Sequence, residues 1–182
     1  MPFSDALSNM NCTCGDYADL ELERGDISRR SKQSKHIKSV LSLVAEHPKG
    51  EHKLFRCPMC EQLWQQSRAW NWGDVEYLFK VPPIAVCDWE LLPYVAPDEL
   101  LIYAAVLDRF LSGKTFRLTG KKCRLEDCER QAIEFSVHCL RHHIESLQQI
   151  RNLPKTPVGR WFDPYRGISP ETLERYVEAK QP

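Results

Sequence analysis

The stretch KKCRLEDCERQAIEFSVHCLRHHIESL, residues 121–147, is the most informative part of the chain, because it carries three cysteines and three histidines in a short span. Four residues separate Cys123 from Cys128, and two residues separate Cys139 from His142. An offset of three places the Cys139 sulfur and the His142 imidazole on one face of a helix, where both reach one ion. The spacing predicts a zinc site closed by four protein ligands.

The fourth ligand of this site has an alternative. His143 lies four residues after Cys139 and therefore shares the same helical face as His142. Residues 130–136 are predicted as a short hairpin and residues 139–150 as the helix that carries the second ligand pair. The sequence leaves the choice between the two histidines open.

This segment resembles the short treble-clef zinc fingers. Those fingers combine a Cys-x4-Cys pair, an Arg with a small residue shortly after it, and a helix-borne Cys-x2-His pair. Arg130 and Ala132 stand at the Arg and small-residue positions of that pattern. The resemblance covers residues 123–143 and implies metal binding and a local fold. It does not imply a function, because treble clefs serve DNA-binding, nuclease and purely structural proteins.

A nuclease of the HNH type is one alternative, since such treble clefs use histidines beside the structural zinc to hold a second, catalytic ion. That type needs a histidine on the hairpin, and residues 128–137 contain none. His138 and His143 remain as candidates for such a role. We predict no catalytic residues and no enzyme, because four protein ligands fill the coordination shell that a catalytic zinc keeps open.

A second metal site is predicted in the first part of the chain. Cys57-Pro-Met-Cys60 lies between two strand-like segments, a knuckle that lets two thiolates approach one ion. Cys12 and Cys14 complete the four ligands of a structural zinc site. A redox-active Cys-x-x-Cys pair is a less suitable interpretation, because such a pair should lead into a helix, whereas residues 61–67 are predicted as a strand or an irregular segment. The predicted ligands of the two zinc ions are Cys12, Cys14, Cys57, Cys60, Cys123, Cys128, Cys139 and His142.

The first site resembles the zinc ribbons, with a helix over residues 34–46 inserted between its halves. That helix is predicted from apolar residues at helical spacing, and Pro48 ends the pattern. Other predicted elements are strands flanking the knuckle and over residues 76–81, a helix over 100–110, and a C-terminal helix opening at 169–171. Cys87 stands alone among apolar residues, is predicted as a small buried side chain, and is assigned no role.

Together these elements predict an α+β protein stabilised by zinc, with a mixed core of helices and strands. The predicted segments are a zinc-ribbon-like module at 1–86, a helical connector at 87–118, a treble-clef finger at 119–160 and a C-terminal helix at 161–182. No apolar run reaches the roughly 20 residues of a membrane helix, and no basic leader with an apolar core opens the chain. We therefore expect a cytoplasmic protein without a membrane partner.

The distribution of charge along the chain indicates which class of partner the protein binds. The formal net charge is zero, yet residues 21–60 hold nine Lys or Arg against five Asp or Glu, residues 61–108 two against eight, and residues 109–160 eleven against five. The acidic middle segment is rich in Trp and Tyr, which favours a protein partner over a nucleic acid. A basic toxin neutralised by an immunity-type inhibitor would suit this charge. The alternative is a nucleic-acid-binding regulator that uses the two basic segments. No small-molecule substrate is recognisable.

Overall fold

The computed structural model describes residues 12–163, 165, 173 and 176–178. The chain forms two compact units, Met1–Asp98 with Gly159–Phe162 and Glu99–Val158 with Asp163–Pro182. Helices and mainly antiparallel strands occur together, which confirms the predicted α+β fold. The predicted division into four segments stays a prediction, although its boundary after residue 86 falls inside a helix.

The first unit is built on a four-stranded antiparallel sheet with the strand order β1-β2-β3-β4. Two 3-10 helices, Cys14–Asp16 and Trp70–Trp72, belong to the same unit. The predicted strand, knuckle, strand order around Cys57 and Cys60 is confirmed. The elements are α1 (Arg24–Lys38), β1 (Ser42–Glu46), β2 (Lys53–Arg56), β3 (Leu63–Ala69), β4 (Val75–Val81) and α2 (Val86–Leu91).

The predicted helix over residues 34–46 is wrong in its second half. The α1 helix ends at Lys38, and the chain from Ser42 forms β1. The Val44 side chain, which fitted a helical stripe, lies in this strand instead. Of the four apolar residues at helical spacing, Ile37 lies in α1 and Val44 in β1, and the other two, Val40 and Leu41, lie in the connection between them. A β-branched residue such as Val44 suits a strand at least as well as a helix.

The first half of α1 was not predicted from the sequence, because polar residues occupy its buried face. Arg30 and Ser34 are buried between Ile27 and Ile37. The Arg30 guanidinium donates to the Leu78 carbonyl oxygen at 3.1 Å, and the Leu78 amide donates to Ser34 Oγ at 2.9 Å. These bonds fix α1 against β4, so backbone groups of the sheet replace apolar contacts along the helix.

The opposite face of the sheet is organised around one buried glutamine. Gln65 is 0 % exposed, and its Oε1 accepts hydrogen bonds from Trp89 Nε1 at 2.8 Å and the Tyr94 amide at 3.0 Å. Its Nε2 donates to the Tyr94 carbonyl oxygen at 2.8 Å and to Ser67 Oγ at 3.2 Å. The side chain thus anchors both α2, through Trp89, and the extended chain that follows it.

The segment Gly159–Phe162 returns to this unit beside Tyr94. The Arg160 amide donates to the Pro93 carbonyl oxygen at 2.8 Å, and the Val95 amide donates to the Arg160 carbonyl oxygen at 3.1 Å. Glycine is required at position 159, because its φ is +152° and a Cβ there would lie 2.8 Å from Val95 Cγ2. The close approach of the two chains explains this requirement.

The second unit combines helices with a three-stranded sheet of order β6-β5-β7. Strand β5 pairs antiparallel with β6 and parallel with β7. Thr156 Oγ1 links two helices, lying 3.4 Å from the Tyr103 hydroxyl and 3.3 Å from Gln148 Nε2. The elements are α3 (Pro97–Leu111), whose first residues fall in the first unit, β5 (Phe116–Lys122), β6 (Gln131–Ile133), α4 (Leu140–Gln149) and β7 (Val177–Glu178).

Two predicted helices are confirmed here, since α3 covers residues 100–110 and α4 begins directly after Cys139. The predicted C-terminal helix is wrong at Val177, which pairs with Phe116 as part of β7. Pairing to a neighbouring strand overrides the local helical pattern. The predicted start of that helix, residues 169–171, lies outside the described residues.

Candidate metal centres

The first candidate centre brings together Cys12, Cys14, Cys57 and Cys60, here called the cysteine cluster. Their sulfur atoms all lie within 4.8 Å of one another. The Cys12 sulfur is 3.6 Å from that of Cys57 and 3.1 Å from that of Cys60. A tetrahedral ion with metal–sulfur bonds of about 2.3 Å holds its ligands about 3.8 Å apart. The four sulfurs are therefore arranged as the ligands of one ion.

The local backbone explains how the four sulfurs converge. Cys57 follows β2 directly, and its amide donates to the Gln62 carbonyl oxygen at 3.0 Å while its carbonyl accepts from the Glu61 amide at 3.0 Å. Glu61 has a positive φ of 59°, which turns the chain back into β3. Cys14 starts a 3-10 helix, and its amide donates to the Cys12 sulfur at 3.3 Å. One knuckle and one tight turn supply two ligands each.

Hydrogen bonds favour the thiolate at the knuckle. Burial opposes ionisation of Cys57, but the backbone amides of Cys60 and Met59 lower the pKa of its thiol to about 7. Burial raises the pKa of Cys14 to about 12, although the Trp64 indole donates to its sulfur at 3.4 Å. A metal ion would supply the positive charge that this buried sulfur needs to ionise.

The second candidate centre brings together Cys123, Cys128, Cys139 and His142, here called the finger cluster. Their ligand atoms all lie within 4.8 Å of one another. The Cys123 sulfur is 3.3 Å from His142 Nδ1, and the Cys128 sulfur is 3.9 Å from that of Cys139. The structure thus places His142, and not His143, among the ligand atoms.

Strand β5, a tight turn and α4 position the finger cluster. The Cys123 amide donates to the Arg130 carbonyl oxygen at 2.9 Å, which closes the loop carrying the first ligand pair. Cys139 is the residue before α4, so His142 lies in the first turn of that helix. Burial opposes ionisation of Cys123, but the His142 ring and the Leu125 amide lower its pKa to about 6. Three thiols and one imidazole again suit a tetrahedral ion.

The histidines proposed for a nuclease are placed elsewhere. Burial lowers the pKa of His143, and electrostatic interactions with His138 and Lys114 lower it further. Within the described residues, the only groupings able to hold an ion are the cysteine cluster and the finger cluster, and neither includes His138 or His143. A second ion beside the finger cluster therefore has no ready ligand set in the described part of the chain.

Two expectations from the sequence need correction. Cys87 was expected to be buried, but it is exposed, because α2 turns Trp89 inward instead. The prediction of a protein partner relied in part on the Trp and Tyr residues of the acidic segment, but most of these residues lie in the core. Trp70, at 70 % exposure, is the large exception. The buried aromatic residues are Trp64, Tyr77, Trp89, Tyr94 and Tyr103.

An exposed surface on α2 was not predicted from the sequence. Asp88, Glu90, Leu91 and Leu92 are all exposed, and Leu91 retains 81 % of its accessible area. These four residues are called the α2 surface below. The sequence does contain a pattern that indicates such a surface, since charged and apolar residues surround Trp89, the one residue of this stretch whose side chain is buried.

The fold and the clusters define a small α+β protein with two four-ligand sites that could hold metal ions. Comparison with models of protein families, with curated proteins and with solved structures gives no match. The resemblances to treble clefs and zinc ribbons therefore stay predictions. In the described part of the chain, no helix is long and apolar enough to cross a membrane.

Proposed function

We propose that this chain is a non-catalytic cytoplasmic protein that holds two structural zinc ions and binds another protein. The donor sets support zinc, because thiolate and imidazole ligands in tetrahedral groups of four are typical of structural zinc sites. Four protein ligands at each cluster leave no position for a substrate or an activated water. The eight cysteines are free thiols, which suits metal binding in a reducing compartment.

The α2 surface carries the proposal that the partner is a protein. Leu91 and Leu92 are exposed beside the carboxylates of Asp88 and Glu90. Exposed leucines at the centre of a charged rim are the composition of many protein interfaces. A basic protein is the partner that the carboxylates of this surface would attract.

The α2 surface is also held rigidly, which lowers the entropic cost of binding. Trp89 is 0 % exposed and donates a hydrogen bond to Gln65 on β3, so the buried side of α2 is fixed to the sheet. The Arg160 guanidinium donates to the backbone carbonyl oxygens of Asp88 and Leu92 at 3.0 and 2.9 Å. Both ends of the surface are therefore fixed before a partner arrives. An immunity-type inhibitor of a basic toxin is the specific form of this proposal.

The test begins with proteins encoded beside this chain's gene, each co-expressed with it and purified. Titration calorimetry with a captured basic protein should give a 1:1 complex, and Leu91→Ser should weaken it at least about tenfold. Glu90→Lys should slow association and reduce its dependence on salt. Leu43→Ser is the control, because Leu43 is 52 % exposed but lies on β1. If Leu91→Ser and Leu43→Ser reduced the affinity for the partner equally, the α2 surface would not be the binding site.

A nucleic acid is the second candidate partner, and one observation favours it. Lys32, Lys35 and Lys38 are exposed in a row along α1, and none of them pairs with a carboxylate among the described residues. A row of unpaired cations can follow a phosphate backbone, with affinity that falls as salt rises. A mobility-shift assay at low salt with duplex DNA and single-stranded RNA tests this. Absence of any shift would remove the candidate.

A further inference from the structure

A cavity of about 240 Å³ lies beside α1 in the first unit. It is separate in position from the α2 surface, because it opens on the side of the sheet that α1 covers. Gln66 and Leu78 are cross-strand partners in β3 and β4, so their side chains share that face. The residues that line this α1 cavity are Ser31, Ser34, Lys35, Lys38, Gln66, Glu76 and Leu78.

Gln66 is the unusual residue of the α1 cavity. It is 4 % exposed, and its Oε1 atom has no hydrogen-bond partner. The neighbouring Gln65, on the opposite face, makes hydrogen bonds with both of its amide atoms. Buried polar groups are nearly always paired, because an unpaired one loses its bonds to water without replacement. The Oε1 atom is closed off from solvent, so in this arrangement it does not face the cavity. A half turn of the side-chain amide exchanges its oxygen and nitrogen, and the oxygen can then accept a hydrogen bond from a ligand in the cavity.

Charged groups of both signs surround the same space. The ammonium groups of Lys35 and Lys38 come from α1, and the Glu76 carboxylate comes from β4. No ion pair joins Glu76 to either lysine among the described residues, so these charges are not already neutralised by one another. The Lys38 ammonium lies 5.3 Å from the centre of the Phe55 ring, which holds it over the sheet.

We propose that the α1 cavity binds a free α-amino acid. Its carboxylate would lie between Lys35 and Lys38, and its ammonium group would donate to Glu76 and to the Gln66 carbonyl oxygen. The buried Leu78 side chain offers an apolar wall, which suits an aliphatic side chain. The volume supports a ligand of this size, because pockets for drug-sized molecules begin at about 300 Å³.

Ligand analogues test the two charges separately. L-leucine is the first probe, followed by the other standard amino acids one at a time, with binding followed by NMR shifts of the glutamine side-chain amides. N-acetyl-L-leucine lacks the ammonium charge and L-leucinamide lacks the carboxylate, so both should bind at least about tenfold more weakly. Failure of every amino acid to bind would overturn the proposal. Equally strong binding of inorganic phosphate at the same amides would replace it with a simple anion site.

Variants locate the site. Gln66→Met keeps the side-chain length and removes the hydrogen bond, and Lys35→Gln removes one cation. Each should weaken amino-acid binding at least about tenfold. Lys32→Gln is the matched control, because Lys32 is exposed on α1 but does not line the α1 cavity. It should change affinity by less than about twofold. Equal weakening by Lys32→Gln and Lys35→Gln would contradict the proposal. Lys35→Gln is an independent test of the same site, because it leaves Gln66 unchanged.

Discussion

Adjacent glutamines on β3 should respond to the same substitution with opposite signs. Gln65 and Gln66 are both buried in the same strand, but only Gln65 makes four hydrogen bonds through its amide. Methionine has nearly the volume of glutamine and no amide group. Gln65→Met and Gln66→Met therefore compare a satisfied with an incompletely satisfied polar group at almost constant packing.

The expected magnitudes follow from the groups left behind. Gln65→Met leaves three buried groups without partners, namely Trp89 Nε1 and the amide and carbonyl of Tyr94. The fourth group, Ser67 Oγ, keeps its hydrogen bond with His52 Nδ1. Each unpaired buried group costs about 1 to 3 kcal/mol, so we expect a loss of about 3 to 5 kcal/mol after partial relaxation. Gln66→Met removes an oxygen that already lacks a partner. We expect it to change the free energy of unfolding by no more than about 1 kcal/mol, in the stabilising direction.

Tryptophan fluorescence during urea unfolding measures this difference for the first unit. All five tryptophans belong to that unit, so the signal does not report on the second one. Zinc must be present at saturating concentration throughout, because metal loss would add its own transition. A loss below about 1 kcal/mol for Gln65→Met would refute the reasoning, and so would equal losses for the two variants. The tryptophans are Trp64, Trp70, Trp72, Trp89 and Trp161.

Other predictions concern metal, backbone and pH. Metal analysis should find about two zinc ions per chain, and Cys128→Ser should reduce this to about one by opening the finger cluster; an unchanged content would show that the cluster does not hold the ion. Gly159→Ala should destabilise the first unit by more than about 1 kcal/mol in urea unfolding, because the new Cβ meets Val95; Gly15→Ala, where space is open, is the control. Burial lowers the pKa of His52 below 6.5, so the unfolded chain takes up a proton first. Its contribution to stability is therefore full above about pH 6.5, the pKa of histidine in the unfolded chain, and is lost as the pH falls below that value through the lower pKa of the folded state. His52→Gln should flatten that dependence in urea titrations at several pH values, and an unchanged slope would contradict it.

Local patterns were sufficient to predict the two candidate metal centres and several helices and strands. Ligand spacing depends only on the geometry of a knuckle or a helical turn, so the pairs at Cys57 and Cys139 could be recognised from a few residues. The eight predicted ligands are brought together in two groups. The α3 and α4 helices carry one apolar stripe or one ligand face each, which periodicity detects.

Long-range partners explain what the sequence could not show. Arg30 and Ser34 belong to a buried helical face only because the Leu78 backbone, more than forty residues away, supplies their hydrogen bonds. Residues 65 and 66 are both glutamine, yet the side-chain amide of Gln65 is fully hydrogen-bonded and the oxygen of Gln66 has no partner. Strand pattern alone assigns them to opposite faces but does not identify the groups that each face meets.

Buried Arg30 connects the cysteine cluster to the fold of α1. Its guanidinium lies 5.6 Å from the centre of the Trp64 ring, and the Trp64 indole donates to the Cys14 sulfur at 3.4 Å. A zinc ion with four thiolates carries a net charge of about −2, so a nearby buried cation lowers its electrostatic cost. The negative charge of the cluster in turn stabilises the buried Arg30 guanidinium. Metal binding and the docking of α1 should therefore stabilise each other, and the same helix contributes the lysines of the α1 cavity.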